Sequence, residues 1–275
     1  HLGHSFPTRR SSDLGAVLTA GEHSITHDAF HRYSLTRDLK AEFPGAMGFG
    51  FIRRVPEGSE STFLEAAKAD GQPDFAIHQL MPHSGERFVI QYIEPTENNL
   101  PALGLDIASE QNRRAAAETA LRAGEVKLTG PIYLAQADDK HQQSFLILMP
   151  IYRGNATPTT VAEREETAFG WSFAPLWIAD VLAGLPGQNE AVHLELSDIT
   201  TAGQRTFYIS HGDPPNAEKL FARRLEREVF GRRWQIEFSA HPLFIERLHQ
   251  LSPKLVLSLG GLVSLLLAEI GRAHV

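Results

Sequence analysis

The sequence predicts an α+β protein with a long N-terminal helix, two tandem mixed domains and the beginning of a C-terminal transmembrane helix. Short apolar segments bounded by Gly, Pro and Asn alternate with helix-forming stretches, as in RFVIQYIEP, ASEQNRRAAAETALRAG and VKLTGPIYL. With 42% hydrophobic and 21% charged residues in 275 positions, the composition is that of a globular protein long enough for two modest domains.

The N-terminal helix is predicted over residues 15–44 and ends at Pro44-Gly45. Within it, His23, His27 and His31 follow one another at i, i+4 and i+8, which places them on one helix face. This spacing can bind a transition metal. Because the neighbourhood supplies neither an HExxH motif nor a fourth ligand, we expect a solvated or dimer-facing stripe and no metal site.

Two mixed domains are predicted to follow, over residues 45–153 and 154–252. The boundary is placed at a loop rich in Gly, Asn and Pro that runs into the charged sequence EREE. The second domain is predicted to contain the strand GWSF, the helix PLWIADVLAGL, the alternating strand VHLELSDI, and a hairpin of LEREVF and WQIEF. On VHLELSDI, the side chains of Val192, Leu194 and Leu196 are expected to face inward.

A membrane segment is predicted over residues 253–268, where the uncharged run LVLSLGGLVSLLLA follows Lys254. A spanning helix needs about 20 apolar residues, so a buried core helix is the alternative. The strings at the two chain ends, within residues 1–14 and 269–275, resemble translated sequencing adapters: HSFPTRRSSDL and EIGRAHV. We therefore expect adapter artefacts at both ends, a truncated transmembrane helix, and loss of an opening membrane helix or signal peptide; a genuine basic N-terminal tail is the alternative.

Charge and composition argue against several classes of function. The formal net charge is -7 and there is no long run of Lys or Arg, so the sequence lacks the clustered basic residues that are typical of nucleic-acid-binding proteins. The absence of cysteine excludes disulfides and thiolate nucleophiles. No GxSxG, Walker, HExxH or calcium-loop motif is present, so we predict no catalytic residues, no metal and no cofactor. A hydrolase whose triad is assembled from distant positions is an alternative.

Asp106 is the candidate site residue that the local pattern indicates. It lies at the mouth of the helix ASEQNRRAAAETALRAG, which is expected to end at Gly124 in the left-handed conformation. The succession of strand, loop, helix and strand around it suits the wall of a small-molecule pocket. An aspartate at this position either contacts a ligand or caps the helix, and Ser109 is an alternative cap.

The order of several separated motifs resembles the CHASE domain, an extracytoplasmic sensor module of bacterial and plant receptor kinases and cyclases. The resemblance covers roughly residues 22–210 and is carried by FPGAMGFGFIRRV, Asp74-Phe75, IEP, NN, LGLDIAS, LTGPIYL, FLILMPIYR and TVAEREETAFGWSFAPL. It implies a membrane-distal PAS-like domain that binds ligand, a membrane-proximal PAS-like domain, and a homodimer formed partly by the N-terminal helix.

The resemblance also implies ligand-binding residues. Asp106 matches the aspartate that hydrogen-bonds the purine-like ring of cytokinin in the plant hormone receptors. Leu128 and Thr129 match the pocket strand of the family, where backbone groups and a hydroxyl face the ligand; ordinary core packing is the alternative for both. Since Arg113 and Arg114 are adjacent on a helix, at most one of them is expected to reach the pocket.

The predicted function is therefore that of a sensor rather than an enzyme. The chain is expected to be the ligand-sensing domain of a receptor in the bacterial inner membrane, with this domain in the periplasm or extracellular space. Its expected partners are a small-molecule ligand, the lipid bilayer and a second copy, and its expected output is a histidine kinase or diguanylate cyclase beyond this fragment. The alternatives are a soluble periplasmic binding protein and a periplasmic hydrolase.

Overall fold

The fold is α+β and divides into two compact units. This computed structural model describes residues 26–38, 45–134, 143–154, 158–183, 192–210, 220–240 and 260. Within these residues, the first unit ends at Val181 and the second begins at Leu182. The first unit contains a seven-stranded sheet and the second a four-stranded sheet.

The first unit places four helices and two 3-10 turns around its sheet. Its helices are α1 (His27–Ser34), α2 (Glu60–Ala69), α3 (Gln111–Ala123) and α4 (Val161–Thr167), and its 3-10 turns are Leu100–Ala102 and Ile107–Ser109. Its strands are β1 (Phe49–Val55), β2 (His78–Gln79), β3 (Arg87–Glu94), β4 (Leu105–Asp106), β5 (Lys127–Leu128), β6 (Ser144–Tyr152) and β7 (Ala168–Trp177). The spatial order is β2-β4-β3-β1-β7-β6-β5, in which β2 and β4 run parallel and the other neighbours antiparallel.

One face of this sheet is covered by α3. The helix buries Ala117, Ala120 and Leu121 against the sheet. The indole N–H of Trp171 donates to the carbonyl of Ala117 over 2.9 Å, which fixes the helix over β7. The largest core cluster lies in this layer, with contributions from four central strands: Ile52, Phe88, Ile90, Leu146, Leu148, Trp171 and Phe173.

The opposite face is covered by α1 and α2. Phe30 of α1 is 2% exposed and stacks on Tyr92, with ring centroids 5.3 Å apart. Ala67 of α2 packs in a cluster with Val55 and Val89. Because both faces of the central strands are covered, these strands are apolar on both sides, which is the composition that the sequence shows in RFVIQYIE and FLILMPIY.

The helix α3 ends as predicted but begins later. Gly124 adopts the left-handed conformation at its C-terminus, with φ of 69°, which confirms the predicted end. The N-cap is Glu110, whose carboxylate accepts the backbone N–H groups of Asn112 and Arg113 at 3.0 and 3.1 Å. The residues Ile107–Ser109 form a separate 3-10 turn before it. The helix is therefore capped by neither Asp106 nor Ser109, since the chain changes direction at Glu110.

The described part of the N-terminal helix is short. Thr26 is extended, with φ of -88° and ψ of 155°, and its hydroxyl accepts the N–H of Ala29, so α1 begins at His27. A stack of His23, His27 and His31 needs a helix that continues through residue 26. The predicted stack is therefore wrong, and so is a single uninterrupted helix over residues 15–44.

His31 joins α1 to the sheet through Glu94. Its Nδ1 lies 2.8 Å from the Glu94 carboxylate, which raises the pKa of His31 through the hydrogen bond and the negative charge. Because the folded-state pKa is raised, the stability gained from this pair is complete below the unfolded value of about 6.5. It is lost as the pH rises through the folded-state pKa.

We expect His31→Gln to lower the melting temperature at pH 6 and to have progressively less effect toward pH 9. Thermal unfolding of the two proteins at half-unit pH steps measures this difference. Arg32→Gln is the control, because Arg32 forms an exposed ion pair with Asp28 on the same helix. A gap between His31→Gln and wild type that stays constant from pH 6 to 9 would contradict the assignment.

The strand β7 belongs to the first sheet rather than to the second domain. The segment GWSF was predicted to open the second domain, but β7 pairs with β1 on one side and β6 on the other. Trp171 and Phe173 complete the core cluster under α3, which explains why the strand is drawn into this sheet. The acidic sequence EREE forms α4 instead of a linker, with a capping box between Thr160 and Glu163.

The second unit is a four-stranded antiparallel sheet preceded by α5 (Ile178–Ala183). This helix is shorter than predicted because Pro175 to Trp177 continue β7. Its strands are β8 (Val192–Asp198), β9 (Arg205–Ile209), β10 (Leu220–Val229) and β11 (Arg232–Ala240), in the order β10-β11-β8-β9. The predicted hairpin is confirmed by the pairing of β10 with β11, and Leu194 and Leu196 are buried as predicted.

Within the described residues, no helix is long and apolar enough to cross a membrane. Several predicted features lie outside those residues: the adapter-like ends (1–14 and 269–275), the outer parts of the N-terminal helix (15–25 and 39–44), and the membrane segment 253–268 apart from Gly260.

Candidate ligand site

Asp106 is held at the end of the short strand β4, between β2 and β3. Gly104 makes the turn before this strand with φ of 80°, a conformation that glycine adopts without strain. The N–H of Gly104 donates to Ile90 over 2.9 Å, and its carbonyl accepts from His78 over 3.1 Å. Asp106 is fully buried as a result, with 0% of its surface exposed. Its carboxylate therefore depends on protein groups for its hydrogen bonds.

One oxygen of the Asp106 carboxylate is bound to the backbone. Oδ1 accepts the N–H of Phe88 at 2.9 Å and the N–H of Ala108 at 3.0 Å. The second contact caps the 3-10 turn Ile107–Ser109, and the Ser109 hydroxyl donates back to the Asp106 carbonyl. The sequence left capping and ligand contact open for this residue. Capping is present, but on the 3-10 turn rather than on α3.

The other oxygen faces His83. Nε2 of His83 lies 2.7 Å from Asp106 Oδ2, and Nη1 of Arg87 lies 3.5 Å from the same oxygen. Nδ1 of His83 lies 2.9 Å from the carbonyl of Ser84 and 3.2 Å from Nη1 of Arg114, and Nε2 also lies 2.9 Å from Nη1 of Arg87, so the tautomer of the imidazole decides which nitrogen donates and which accepts. The side chain of His83 is 14% exposed, so it forms the outer boundary of this cluster.

Two further carboxylates balance the arginines around Asp106. Glu60 lies 3.6 Å from Nε of Arg87, and Glu118 lies 3.0 Å from Nε of Arg114. Both oxygens of Asp106 are therefore engaged by described residues.

Sequence reasoning missed His83 and Arg87. His83 lies in a polar turn with Pro82 and Gly85, and Arg87 is the first residue of β3. A histidine and an arginine four positions apart, next to an apolar strand, are too common to indicate a site. Only the three-dimensional structure shows that both side chains contact Asp106.

Leu128 and Thr129 lie at the β5 edge of the first sheet. Leu128 pairs with Ile147 of β6, and the N–H of Thr129 donates to the carbonyl of Leu146 over 3.0 Å. The Thr129 hydroxyl accepts the N–H of Leu146, also at 3.0 Å. Successive residues of a strand point to opposite faces, so the two side chains do not share one pocket wall. The ligand contact of these residues stays a prediction.

Arg113 and Arg114 point in different directions, as the sequence indicates. Arg114 approaches His83, whereas Arg113 turns inward and is 3% exposed. Nη2 of Arg113 donates to the carbonyl of Tyr133 over 2.6 Å. Burial lowers the pKa of Arg113, partly offset by the charge of Glu110. Arg113 is thus the arginine of this pair that enters the core.

Metal binding has no support within the part of the chain that the structure describes. No group of three or more His, Asp or Glu side chains there is arranged to hold a metal ion. The cluster around Asp106 is instead a network of hydrogen bonds and ion pairs.

Comparisons with known proteins agree with the sequence motifs. The family model of the CHASE domain matches residues 23–208, which is more than half of the chain. Among solved structures, the periplasmic sensory domain of the Campylobacter jejuni chemoreceptor Tlp1 is similar, with 13% sequence identity and a TM-score of 0.48. That match covers 86% of this chain and 86% of the chemoreceptor chain. A comparison with curated proteins found no significant match.

Proposed function

Since the chain belongs to the CHASE family of extracytoplasmic sensor domains, we propose that it is the ligand-sensing part of a bacterial transmembrane receptor. The observation that carries this proposal is the family match over residues 23–208, which includes all described residues of the first unit. The buried cluster around Asp106 lies within that range and supplies the candidate site. No described residue supplies recognisable catalytic machinery that would favour an enzyme.

The proposed receptor is anchored in the inner membrane, with these two PAS-like units in the periplasm. A small molecule binds the first unit, which is the membrane-distal one. Two copies of the chain associate, and the signal passes to a cytoplasmic histidine kinase or diguanylate cyclase. Ligand binding acts by favouring one of two conformations, so the ligand must contact a group that is arranged differently in each.

The His83 contact is such a group. Oδ1 of Asp106 holds the backbone of Phe88 and Ala108, so it belongs to the fold. Oδ2 is held by side chains, chiefly His83 at 2.7 Å. A ligand N–H or O–H donor replaces Nε2 of His83 at this oxygen, and the turn that carries His83 then takes a second position. Leu128 and Thr129 belong to the β5 edge of the sheet, far from β4, so a ligand contact by these two residues would be separate from Oδ2 of Asp106.

This proposal is tested by thermal unfolding of the full chain against a library of small molecules. A compound that binds only the folded state raises stability by about 2.7 kcal/mol at 100 times its Kd. Asp106→Asn is expected to remove that stabilisation, because the amide oxygen keeps the capping contacts while an NH2 group replaces Oδ2. Glu165→Gln is the control, since the Glu165 side chain forms an exposed pair with Arg122.

Two results would count against the proposal. If Asp106→Asn remains stabilised as strongly as wild type, the ligand does not contact Oδ2. If the wild-type chain converts a library compound into product, the periplasmic hydrolase is the better description.

A further inference from the structure

Three buried hydrogen-bond donors lie unpaired in the core of the first unit. Among the described residues, Nε of Arg113, Oγ of Ser144 and Nε1 of Trp177 have no hydrogen-bond partner. We propose that these groups form a binding site for a small carboxylate. The inference rests on the proposed function, because it gives the sensor a second candidate site, apart from Asp106, and names the chemical class of molecule that this site binds.

Arg113 carries a buried charge without a bonded carboxylate. The nearest acidic group is Glu110, whose Oε2 lies 3.9 Å from Nε of Arg113. Both oxygens of Glu110 already accept backbone N–H groups at the start of α3. Among the described residues, the guanidinium has one hydrogen bond, to the carbonyl of Tyr133. A buried charge of this kind destabilises a protein unless an opposite charge pairs with it.

Ser144 and Trp177 lie beside each other on the face of the sheet that α3 covers. Ser144 is 0% exposed and pairs directly with Trp177 across β6 and β7. Residues directly opposite in an antiparallel pair project from the same face. Trp177 packs against the core cluster under α3, which identifies that face. The hydroxyl and the indole N–H are thus neighbours in one layer.

The side chain of Arg113 reaches the same end of the sheet from α3, the helix that covers this face. Ile132 exchanges both backbone hydrogen bonds with Ser144 at 2.9 Å, and Arg113 bonds the next residue, Tyr133. These contacts bring the guanidinium, the hydroxyl and the indole to the same end of the sheet, where β6 begins.

The chemistry of these groups selects the ligand. A guanidinium and an indole are donors only, and a serine hydroxyl donates as readily as it accepts. Their complement is a group that has several acceptor lone pairs and a negative charge. A carboxylate meets both needs, and its two oxygens match the planar fork of the guanidinium. The apolar side chains around the three donors, such as Ile132 and Leu146, suit the carbon part of a short organic acid.

The test uses the full chain and measures thermal unfolding and calorimetric binding with acetate, pyruvate, succinate and alanine. At least one of these carboxylates should bind, whereas acetamide and inorganic phosphate should not. Arg113→Met should weaken that binding about 100-fold or more, because it removes charge-assisted hydrogen bonds. Ser144→Ala should weaken it about tenfold or more, because it removes one hydrogen bond from an uncharged donor to the carboxylate.

The control variant is Arg122→Met, which removes an exposed arginine from the same helix and should leave binding unchanged. Arg113→Met should also unfold at a temperature no lower than unliganded wild type, because it removes a buried charge whose ion pair with Glu110 is long, at 3.9 Å. The inference is overturned if none of the four carboxylates binds wild type, or if Arg113→Met binds them as tightly as wild type does. A neutral library compound that stabilises wild type but not Asp106→Asn would leave the sensor function standing while refuting the carboxylate.

Discussion

Replacing Asp106 by alanine should lower the free energy of unfolding by about 3 to 5 kcal/mol, the usual result of breaking a buried charged network. The variant leaves the buried N–H groups of Phe88 and Ala108 without their acceptor. It also leaves His83 and Arg87 facing an apolar methyl group. Denaturation by urea, monitored by circular dichroism, measures the loss.

Asp106→Asn separates the two oxygens of this carboxylate. The amide oxygen replaces Oδ1 and keeps the capping hydrogen bonds, so this variant should lose only about 1 to 2 kcal/mol. The asparagine is therefore the variant for binding experiments, and the alanine measures the structural role. A loss below about 1 kcal/mol for the alanine would mean that the carboxylate does not hold β3 and the 3-10 turn together.

Gly104→Ala should destabilise the first unit by at least about 3 kcal/mol, because strain and overpacking act together. The backbone φ of Gly104 is 80°, where an L-residue is strained. A Cβ at this position would also lie 2.1 Å from the carbonyl oxygen of Ala76, which is backbone and cannot turn away. Chemical denaturation measures the difference from wild type.

Gly58→Ala is the matched control for this substitution. Gly58 has the same φ of 80°, but a Cβ there meets nothing within 4 Å. It should therefore cost only about 1 kcal/mol, from backbone strain alone. Equal losses at Gly104 and Gly58 would show that the turn before Asp106 has room to move.

The position of Asp106 was predictable from the sequence because the signal is local. A carboxylate before a helix-forming stretch, and Gly124 after it, are patterns within one segment. Its partners were not predictable in this way. His83 lies 23 residues earlier and approaches the carboxylate only when β2 pairs with β4. The unpaired donors near Arg113 likewise depend on how three separate elements meet.

The strand β7 shows the same limit for the fold. Its apolar pattern predicts a strand, which the structure contains, but the pattern does not identify its neighbours. Gly50 of β1 pairs with Phe173 of β7, and most of the sequence of the first unit lies between these two residues. The acidic stretch before β7 looked like a linker because its charges indicate exposure, and α4 is an exposed helix. Local patterns therefore predicted these elements better than the domain boundary.

The strand β3 carries the contacts with α1 at one end and the contacts with Asp106 at the other. Near one end, Tyr92 and Glu94 hold α1, the helix closest to the N-terminus that the structure describes. At the other end, Arg87 and Phe88 contact Asp106. Eight strand residues span about 25 Å, and the pairing of β3 with β1 along this length is interrupted at Gln91, opposite the step from Phe51 to Ile52. We expect a displacement of α1 to reach the Asp106 cluster through this strand, so that tension on α1 and ligand binding near Asp106 bias one equilibrium.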